Sequence, residues 1–323
     1  MGPGFLSKLA AGLGKRSRLP SLAWTCLLFT ASAACAAAPI HLASISRYHH
    51  RHHHHYVGHY RGGVAQPGLR SSEALVLDVT DHKVLYARKA DVPVPIASIS
   101  KLMTSLVVAE AAQPLDDELQ VTSADRAIGR GAYSRLAVGT TLTRAELFHL
   151  ALMASENRAA HALARNYPGG LAACITAMNA KAQALGMTHT HFVEPTGLSS
   201  QNVSTPDDLA KLVMAAAQSP VIRHYSTSRG YTIRSGRHLV AFHNTDSLVD
   251  RRSWHIVVQK TGFTNPAGHC LVMQAVIDRR TVVMVLLNSW GKYTRVADAS
   301  RVRQWTQAQL TRHIVRQQVA SRT

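Results

Sequence analysis

The sequence predicts a mixed α/β (α+β) domain whose sheet joins segments from the two ends of the folded region. Two β-rich runs, 73–79 and 83–87, lie near the start of that region, and several more follow Gly230. The long stretch between them carries apolar residues at helical spacing instead. Strands at both ends with helices between them indicate one α/β domain, and no internal repeat is found.

Composition limits the class of protein. The 323 residues are 46% hydrophobic, which is too apolar for a mainly disordered chain. No stretch after the N-terminus reaches the roughly 18 uninterrupted apolar residues of a membrane span, so a multi-span membrane protein is excluded. The formal net charge of +18 favours an anionic partner. No nucleic-acid partner is expected, because the sequence contains no recognised binding module and its N-terminus predicts export.

The first 38 residues are typical of an export signal. They combine a short apolar core at 22–34, small residues at 34–38, and an acid-free basic stretch containing Lys8, Lys15, Arg16 and Arg18. An uncleaved anchor is the alternative, and the shortness of the apolar core disfavours it. A lipoprotein signal ending at Cys35 is disfavoured because Ser32 replaces the expected larger aliphatic residue.

Residues 39–71 form a low-complexity tract with seven histidines between positions 49 and 59. Imidazoles bind transition metals, but no carboxylate or cysteine completes a defined site here. We therefore expect a tether, followed by a folded domain over 72–323. Two cysteines, Cys174 and Cys270, remain after removal of the signal. They either pair in an oxidising compartment or stay as two buried thiols.

Local signals predict the elements of the domain. The first two β-rich runs form a hairpin around Asp81-His82. Thr143 and Glu146 form a capping box that starts a helix at Arg144. Thr205-Pro206 supplies an N-cap and a proline at the first helical position of another helix. The other expected helices are 97–112, 171–185 and 295–319, and the expected C-terminal strands are 231–233, 255–259, 270–277 and 281–287.

Ser98 and Lys101 stand three residues apart at the start of the first expected helix, so their side chains lie on one face. A serine hydroxyl is a poor nucleophile until a base removes its proton. A lysine can be that base where desolvation and neighbouring cations depress its pKa. The N–H groups at a helix N-terminus suit a developing oxyanion. Alone, this pair is a very weak signal.

Two further short motifs carry polar groups. Ser155-Glu156-Asn157 interrupts a helical pattern, as a loop between two helices would, and its hydroxyl and amide can relay a proton and bind a peptide group. Lys260-Thr261-Gly262 follows the β-rich run 255–259, on a strand or just past it. It supplies a fixed charge, a hydroxyl and a glycine that lets a substrate backbone approach closely. Each motif alone is common.

Together the three motifs are specific. Their order, and their separations of 57 and 105 residues, match the Ser-x-x-Lys, Ser-x-Asn and Lys-Thr-Gly signature of penicillin-binding proteins and class A β-lactamases. Over about 72–309 the chain resembles the low-molecular-weight penicillin-binding proteins of the D-alanyl-D-alanine peptidase family. The resemblance implies a β-lactamase/DD-peptidase-like fold, in which an antiparallel sheet is flanked by helices and a helical region is inserted.

Longer strings resemble the DD-endopeptidase branch of that family, which opens peptidoglycan crosslinks. They are 95–104, 155–160 and 260–270. The carboxypeptidase branch typically has Ser-Gly-Asn and a His after Lys-Thr-Gly, whereas this chain has Glu156 and Phe263. A DD-carboxypeptidase that trims terminal D-Ala is the alternative. A β-lactamase and a non-catalytic wall- or metal-binding protein are weaker alternatives.

The resemblance implies an acyl-enzyme mechanism. Ser98 would attack the carbonyl of a D-alanyl bond in a peptidoglycan stem peptide, and Lys101 would accept its proton. The oxyanion hole would be formed by the backbone N–H groups of Ser98 and Phe263. Water would release the acyl group, so no metal or cofactor is expected. Penicillins and other β-lactams would bind covalently in the same way.

The same resemblance assigns roles to the remaining motif residues. Ser155 and Asn157, with Lys260, would relay a proton to the leaving amine and hold the substrate. Thr261 would contact a substrate carboxylate, and Gly262 would leave room for the substrate backbone. The resemblance also implies a periplasmic enzyme, for which peripheral contact with the membrane stays open.

Two positions depart from the simplest match. Asp246 stands where family members often have a second Asn, which affects details of substrate contact and not the mechanism. Glu194 lies near where a class A β-lactamase carries its deacylating Glu, but the run Glu-Pro-Thr-Gly-Leu resembles the peptidases, where we interpret it as structural. The isolated histidines His161, His243 and His269 are also interpreted as structural.

Overall fold

A five-stranded antiparallel sheet with helices on both faces forms the centre of the protein. The computed structural model describes residues 66–126, 133–235 and 237–320. The predicted export signal over 1–38 and most of the tether predicted over 39–71 lie outside the described residues. The strands are β1 (Ser71–Asp78), β2 (Lys83–Arg88), β3 (Val94–Pro95), β4 (Glu118–Gln120), β5 (Thr141–Thr143), β6 (Val203–Ser204), β7 (Gly230–Ser235), β8 (His238–His243), β9 (His255–Thr264), β10 (Gly268–Ile277) and β11 (Arg280–Ser289). The helices are α1 (Ser100–Glu110), α2 (Arg144–Met153), α3 (Asn157–Arg165), α4 (Gly170–Ala184), α5 (Pro206–Ala216), α6 (Pro220–Ser226) and α7 (Thr294–Ala320).

The strand order of the main sheet is β2-β1-β11-β10-β9. The N-terminal strand β1 pairs with the C-terminal strand β11, with Leu75 opposite Val285. The sheet therefore joins both ends of the domain, and the predicted fold class is confirmed. Strand β9 lies at one edge, so one side of it is not covered by another strand of this sheet.

The two faces of the sheet carry separate apolar cores. Val283 and Val285 of β11 belong to the core shared with the helical region, while Val282 and Met284 belong to the core that includes Val302 of α7. Because both faces are covered, β11 is a nearly continuous apolar run. Each such buried side chain contributes roughly 1.5–3 kcal/mol of transfer free energy.

Helix α1 lies inside the helical region and is buried along most of its length. The predicted capping box at α2 is confirmed, since Thr143 accepts from the backbone N–H of Glu146. At α5 the Thr205 side chain likewise accepts from the Asp208 N–H, with Pro206 in the first position. These caps satisfy backbone donors that a helix leaves unpaired at its start.

The structure differs from the prediction in three places. The helix expected over 97–112 begins with a 3₁₀ turn, Ala97–Ile99, before α1. The strand expected over 255–259 continues to Thr264 because β10 pairs with it along its length, so the Lys-Thr-Gly motif lies within β9. The short helix α6 and the three two-stranded sheets β3-β6, β4-β5 and β7-β8 were not predicted.

Cys174 and Cys270 are both buried and free. Burial raises the pKa of the Cys174 thiol to about 12 and that of Cys270 to about 11, so both are protonated at neutral pH. In the described part of the chain, no helix combines the length and hydropathy needed to cross a membrane.

Candidate active site

Ser98 lies in the 3₁₀ turn that leads into α1, and Lys101 lies in the first turn of the helix itself. The Lys101 ammonium nitrogen is 2.8 Å from Ser98 Oγ. The turn is held by the Ser100 hydroxyl, which donates to the Ala97 carbonyl at 2.9 Å. The spacing of three residues therefore brings hydroxyl and amine into direct contact, as the sequence predicted.

Lys101 is fully buried and hydrogen-bonded on three sides. Besides Ser98, its Nζ donates to Asn157 Oδ1 at 2.7 Å and to the Thr196 carbonyl at 2.5 Å. Both partners can only accept. When Lys101 loses a proton, its two remaining N–H groups stay on those acceptors and its lone pair faces the Ser98 hydroxyl. This geometry is that of a base aimed at Ser98.

Burial lowers the pKa of Lys101 to about 8, against the opposing effect of the Glu194 and Glu156 carboxylates. At a pKa of about 8, roughly a tenth of the Lys101 side chains are neutral at pH 7. An exposed lysine would leave far less neutral amine. Desolvation thus increases the fraction of neutral amine at Lys101.

A loop that starts at Glu194 supports this arrangement of Ser98 and Lys101. One Glu194 oxygen accepts from the backbone N–H of Thr196 at 2.7 Å, and the other accepts from that of Gly197 at 2.6 Å. This positions the Thr196 carbonyl that faces Lys101. Gly197 has a φ of +80°, and a Cβ there would lie 1.8 Å from the Ala97 carbonyl oxygen. Only glycine fits at this contact, and Glu194 has the structural role that the sequence indicated.

The second motif lies between α2 and α3. Ser155 is in the connecting loop with a φ of +59°, an uncommon backbone conformation for a residue other than glycine. Asn157 begins α3 and contacts Lys101, as described above. The loop is tied to a neighbouring segment, since the Thr245 N–H donates to the Met153 carbonyl at 3.1 Å.

Strand β9 forms the other side of the site. Lys260 is fully buried, and its Nζ donates to the Thr261 carbonyl at 2.9 Å. Burial, followed by the charges of Lys101 and Arg295, lowers the pKa of Lys260 well below its usual range. A Cβ on Gly262 would lie 3.0 Å from the Ile96 carbonyl oxygen and 3.1 Å from the backbone nitrogen of Ser98. The missing side chain therefore lets β9 pass directly beside the nucleophile turn.

Phe263 follows the motif and is 53% exposed. Its ring stacks on His269, with centroids 4.2 Å apart. His269 Nδ1 in turn lies 2.7 Å from a guanidinium nitrogen of Arg295. One face of the Phe263 ring is thus covered by His269, while about half of the side chain stays open to solvent.

Two contributors to the site, Thr245 and Arg295, were not identified from the sequence. Thr245 Oγ1 lies 2.6 Å from Thr261 Oγ1 and so extends the hydroxyl side of the groove. Arg295, half-buried at the start of α7, adds a second cation near Lys260. Asp246 is fully buried, and burial raises its pKa to about 6. Thr245 directly precedes Asp246, the position at which the chain departs from the family pattern, but no local pattern marks Arg295.

No group of three or more His, Cys, Asp or Glu side chains that could hold a metal ion occurs among the described residues. His161 instead contacts the Asp125 carboxylate at 2.8 Å, which agrees with its structural interpretation.

Comparison with known proteins places the geometry in a family. The family model described as D-alanyl-D-alanine carboxypeptidase, peptidase family S11, matches residues 61–291. The D-alanyl-D-alanine endopeptidase of Pseudomonas aeruginosa is 50% identical over 242 residues, covering 74% of this chain and 78% of that protein. The endopeptidase of Escherichia coli K12 is 49% identical over 243 residues, covering 75% and 78%. The crystal structure of the Streptomyces K15 DD-transpeptidase is similar, with a TM-score of 0.70 and 27% identity over 75% of this chain and 98% of that one. The chain belongs to the D-alanyl-D-alanine carboxypeptidase family, peptidase family S11.

Proposed function

We propose that the protein is a serine DD-peptidase that hydrolyses D-alanyl peptide crosslinks in peptidoglycan through an acyl-enzyme on Ser98. The observation that carries the proposal is the buried Lys101 amine, 2.8 Å from Ser98 Oγ and hydrogen-bonded elsewhere only to acceptors. Two relatives that are named D-alanyl-D-alanine endopeptidases, 50% and 49% identical in sequence to this chain, support the choice of reaction.

Acylation begins from the neutral form of Lys101. As Ser98 Oγ attacks the carbonyl carbon of D-Ala, the hydroxyl proton passes to the lysine lone pair that faces it. The carbonyl oxygen becomes an oxyanion, which the backbone N–H groups of Ser98 and Phe263 stabilise. The close approach of Gly262 to the Ser98 nitrogen supports this pairing, because it brings the two backbones together.

The leaving amine needs a proton before the C–N bond breaks. Ser155, Asn157 and Lys260 relay to the amine the proton that Lys101 took from Ser98, and they hold the peptide. Thr261, extended by the Thr245 hydroxyl, binds a substrate carboxylate. The positive charge of Arg295 favours a carboxylate at this end of the groove.

Water then hydrolyses the D-alanyl ester and frees Ser98. A β-lactam acylates the same Ser98 oxygen by ring opening, and its nitrogen takes up the proton but stays attached to the acyl group. Glu194 does not serve as the base for ester hydrolysis, because its oxygens already accept from the Thr196, Gly197 and Asn202 groups of its own loop. We expect a penicillin ester to be released slowly, because its opened ring stays attached and occupies the space that the leaving amine of a peptide vacates for water. This argues against a β-lactamase.

The choice between crosslink cleavage and terminal trimming depends on Glu156 and Phe263, which stand where carboxypeptidases typically have Gly and His. Muropeptide analysis after incubation of the purified protein with crosslinked dimers and with pentapeptides tests it. We expect the dimers to be cleaved. Shortened pentapeptides with persistent dimers would contradict the endopeptidase assignment, and rapid turnover of a chromogenic β-lactam would favour a β-lactamase.

The location of the enzyme follows from the same proposal. An export signal over 1–38, a tether over 39–71 and a peptidase domain over 72–323 would deliver a basic enzyme to the periplasm, where the wall polymer carries carboxylates. The mass of the intact protein isolated from a periplasmic extract gives its mature N-terminus. A mass that still includes the first 38 residues would contradict a cleaved signal.

A further inference from the structure

The loop between β11 and α7 presents two aromatic rings to solvent. Trp290 is 91% exposed and Tyr293 is 73% exposed, whereas the partly buried Trp254 and Trp305 pack against the core on the α7 side of the sheet. Aromatic side chains bury a large apolar area when they have a partner, so two exposed rings in one short loop indicate a surface that contacts a ligand. We refer to residues 290–293 as the Trp290–Tyr293 loop.

The loop is ordered by its own hydrogen bonds. Gly291 has a φ of +89°, which makes the turn between the two rings. The Thr294 hydroxyl donates to the Trp290 carbonyl, and the Thr294 N–H donates to the Gly291 carbonyl at 3.2 Å. The rings are therefore carried on a fixed turn, and a ligand that stacks on them loses little additional chain entropy.

Positive charge surrounds the rings. Lys292 Nζ lies 5.6 Å from the centre of the Tyr293 ring. A cleft of about 330 Å³ beside the loop is also lined by Arg70 and Arg301. The neighbouring carboxylate, Asp298, is buried and already paired with Arg301 and with backbone N–H groups. Asp298 neutralises Arg301, so Lys292 and Arg70 are the cations that favour a negatively charged ligand here.

The sheet places this loop at the same end as the substrate groove. Ser289, which precedes Trp290, is paired with His269 of β10, and His269 is paired with Phe263 of β9. Since neighbouring strands lie about 4.8 Å apart, the loop begins roughly 10 Å from the Phe263 backbone. A polymer whose peptide branch enters the groove at Phe263 can therefore reach both aromatic rings.

We propose that the Trp290–Tyr293 loop and its cleft bind the sugar strand of peptidoglycan while a peptide attached to that strand lies in the groove. This inference rests on the proposed function. The C–H faces of the sugar rings would stack on Trp290 and Tyr293. Lys292 and Arg70 would pair with carboxylates carried by the strand. The site gives the enzyme a hold on the polymer that a free peptide or a penicillin does not use.

The test compares the double variant Trp290→Ala, Tyr293→Ala with the control Val84→Ala. Val84 is an exposed apolar residue of β2, which lies at the edge of the sheet opposite to β9. The probes are glycan strands stripped of their peptides, and binding is followed by cosedimentation at matched protein concentrations. We expect the double variant to bind the strands about tenfold more weakly and the control to bind as the wild type does. Acylation by fluorescent penicillin is expected to be unchanged in both variants.

Three results would overturn the inference: no binding of glycan strands by the wild type, equal binding by the double variant, or an equal loss in the Val84→Ala control. Cosedimentation with vesicles containing phosphatidylglycerol is measured in parallel. If the double variant lost binding to the vesicles but kept binding to glycan strands, the loop would be a lipid-binding surface and the inference would be overturned. Failure of the proposed function gives a different result. In that case the wild type binds glycan strands through the loop but leaves crosslinked peptide dimers uncut.

Discussion

The two sides of the substrate groove are built in opposite ways. On the side formed by α1, α3 and the Glu194 loop, the ionisable group Lys101 is fully buried and its three partners belong to the protein. On the side where β9 ends, Phe263 is half-exposed, and the Trp290–Tyr293 loop is more exposed still. One side is completed by the fold, and the other is open to a ligand.

This difference separates reaction from recognition. The buried side fixes nucleophile and base before any substrate arrives, so the cost of aligning them is met during folding. The exposed side contributes little to the core, so its residues can be replaced without disturbing Ser98 and Lys101. Substitutions on the buried side should therefore change the rate with every substrate, and those on the exposed side should change the preference among substrates.

The largest expected effect comes from removing the base. Lys101→Ala should lower the second-order rate constant for acylation by fluorescent penicillin by roughly 10³-fold, since a positioned base contributes about 10²–10⁴-fold. Lys83→Ala, an exposed change on β2, should leave the rate unaltered. If Lys101→Ala slows acylation less than tenfold while the protein stays folded, the buried side does not supply the base.

The packing of the Glu194 loop against the Ser98 turn can be tested at two glycines, both of which have a positive φ. A Cβ at Gly197 collides with the Ala97 carbonyl, while a Cβ at Gly186 meets nothing within 4 Å. Gly186→Ala should cost only the backbone strain, about 1–2 kcal/mol of unfolding free energy, and leave acylation within about twofold. Gly197→Ala should displace the Ser98 turn and slow acylation by about 10²-fold. Thermal unfolding and labelling rates measure both, and equal rates in the two variants would contradict the packing argument.

The buried side was also the part that the sequence predicted best. Ser98, Lys101 and Asn157 lie in short strings at fixed spacing, which the sequence alone reveals, although no side-chain cap marks the start of α1 or α3. Thr245 and Arg295 could not be found in this way. Thr245 contacts Thr261, and Arg295 of α7 lies near Lys260, only through tertiary packing, to which no nearby residue in the sequence points.

The same limit applies to the fold. The N- and C-terminal strands were predicted from β-rich runs. Their pairing in one sheet was predicted because strands stand at both ends of the domain and helices lie between them. The extension of β9 through Gly262 was left open, because that segment becomes strand through its pairing with β10. The 3₁₀ turn at Ala97 packs against Gly197, about a hundred residues away in the chain, and no local residue indicates that contact.

The pH dependence of acylation tests the electrostatics of the buried side. Because only neutral Lys101 accepts the Ser98 proton, the rate should rise with pH and level off above a midpoint near 8. The Glu156 carboxylate raises the pKa of Lys101, so Glu156→Gln should move the midpoint to lower pH. Glu118→Gln on exposed β4 should not move it. A rate that falls as pH rises toward 8 would contradict a lysine base.

The smallest expected effect on acylation comes from the exposed side. Phe263→His should leave the penicillin labelling rate within about threefold, because the ring contacts His269 and solvent and makes no contact with Lys101. The ratio of dimer cleavage to terminal D-Ala removal should fall, since His is typical of carboxypeptidases at this position. Competition between dimers and pentapeptides in one reaction measures that ratio. An unchanged ratio would remove Phe263 from substrate selection.

The identity of the acylated residue tests the central claim most directly. The protein is treated with penicillin, its intact mass is measured, and the modified peptide is sequenced by mass spectrometry. We predict one penicilloyl group per chain, attached to Ser98, and none on the folded Ser98→Ala variant. An adduct on any other residue, or an adduct that survives in Ser98→Ala, would contradict the account.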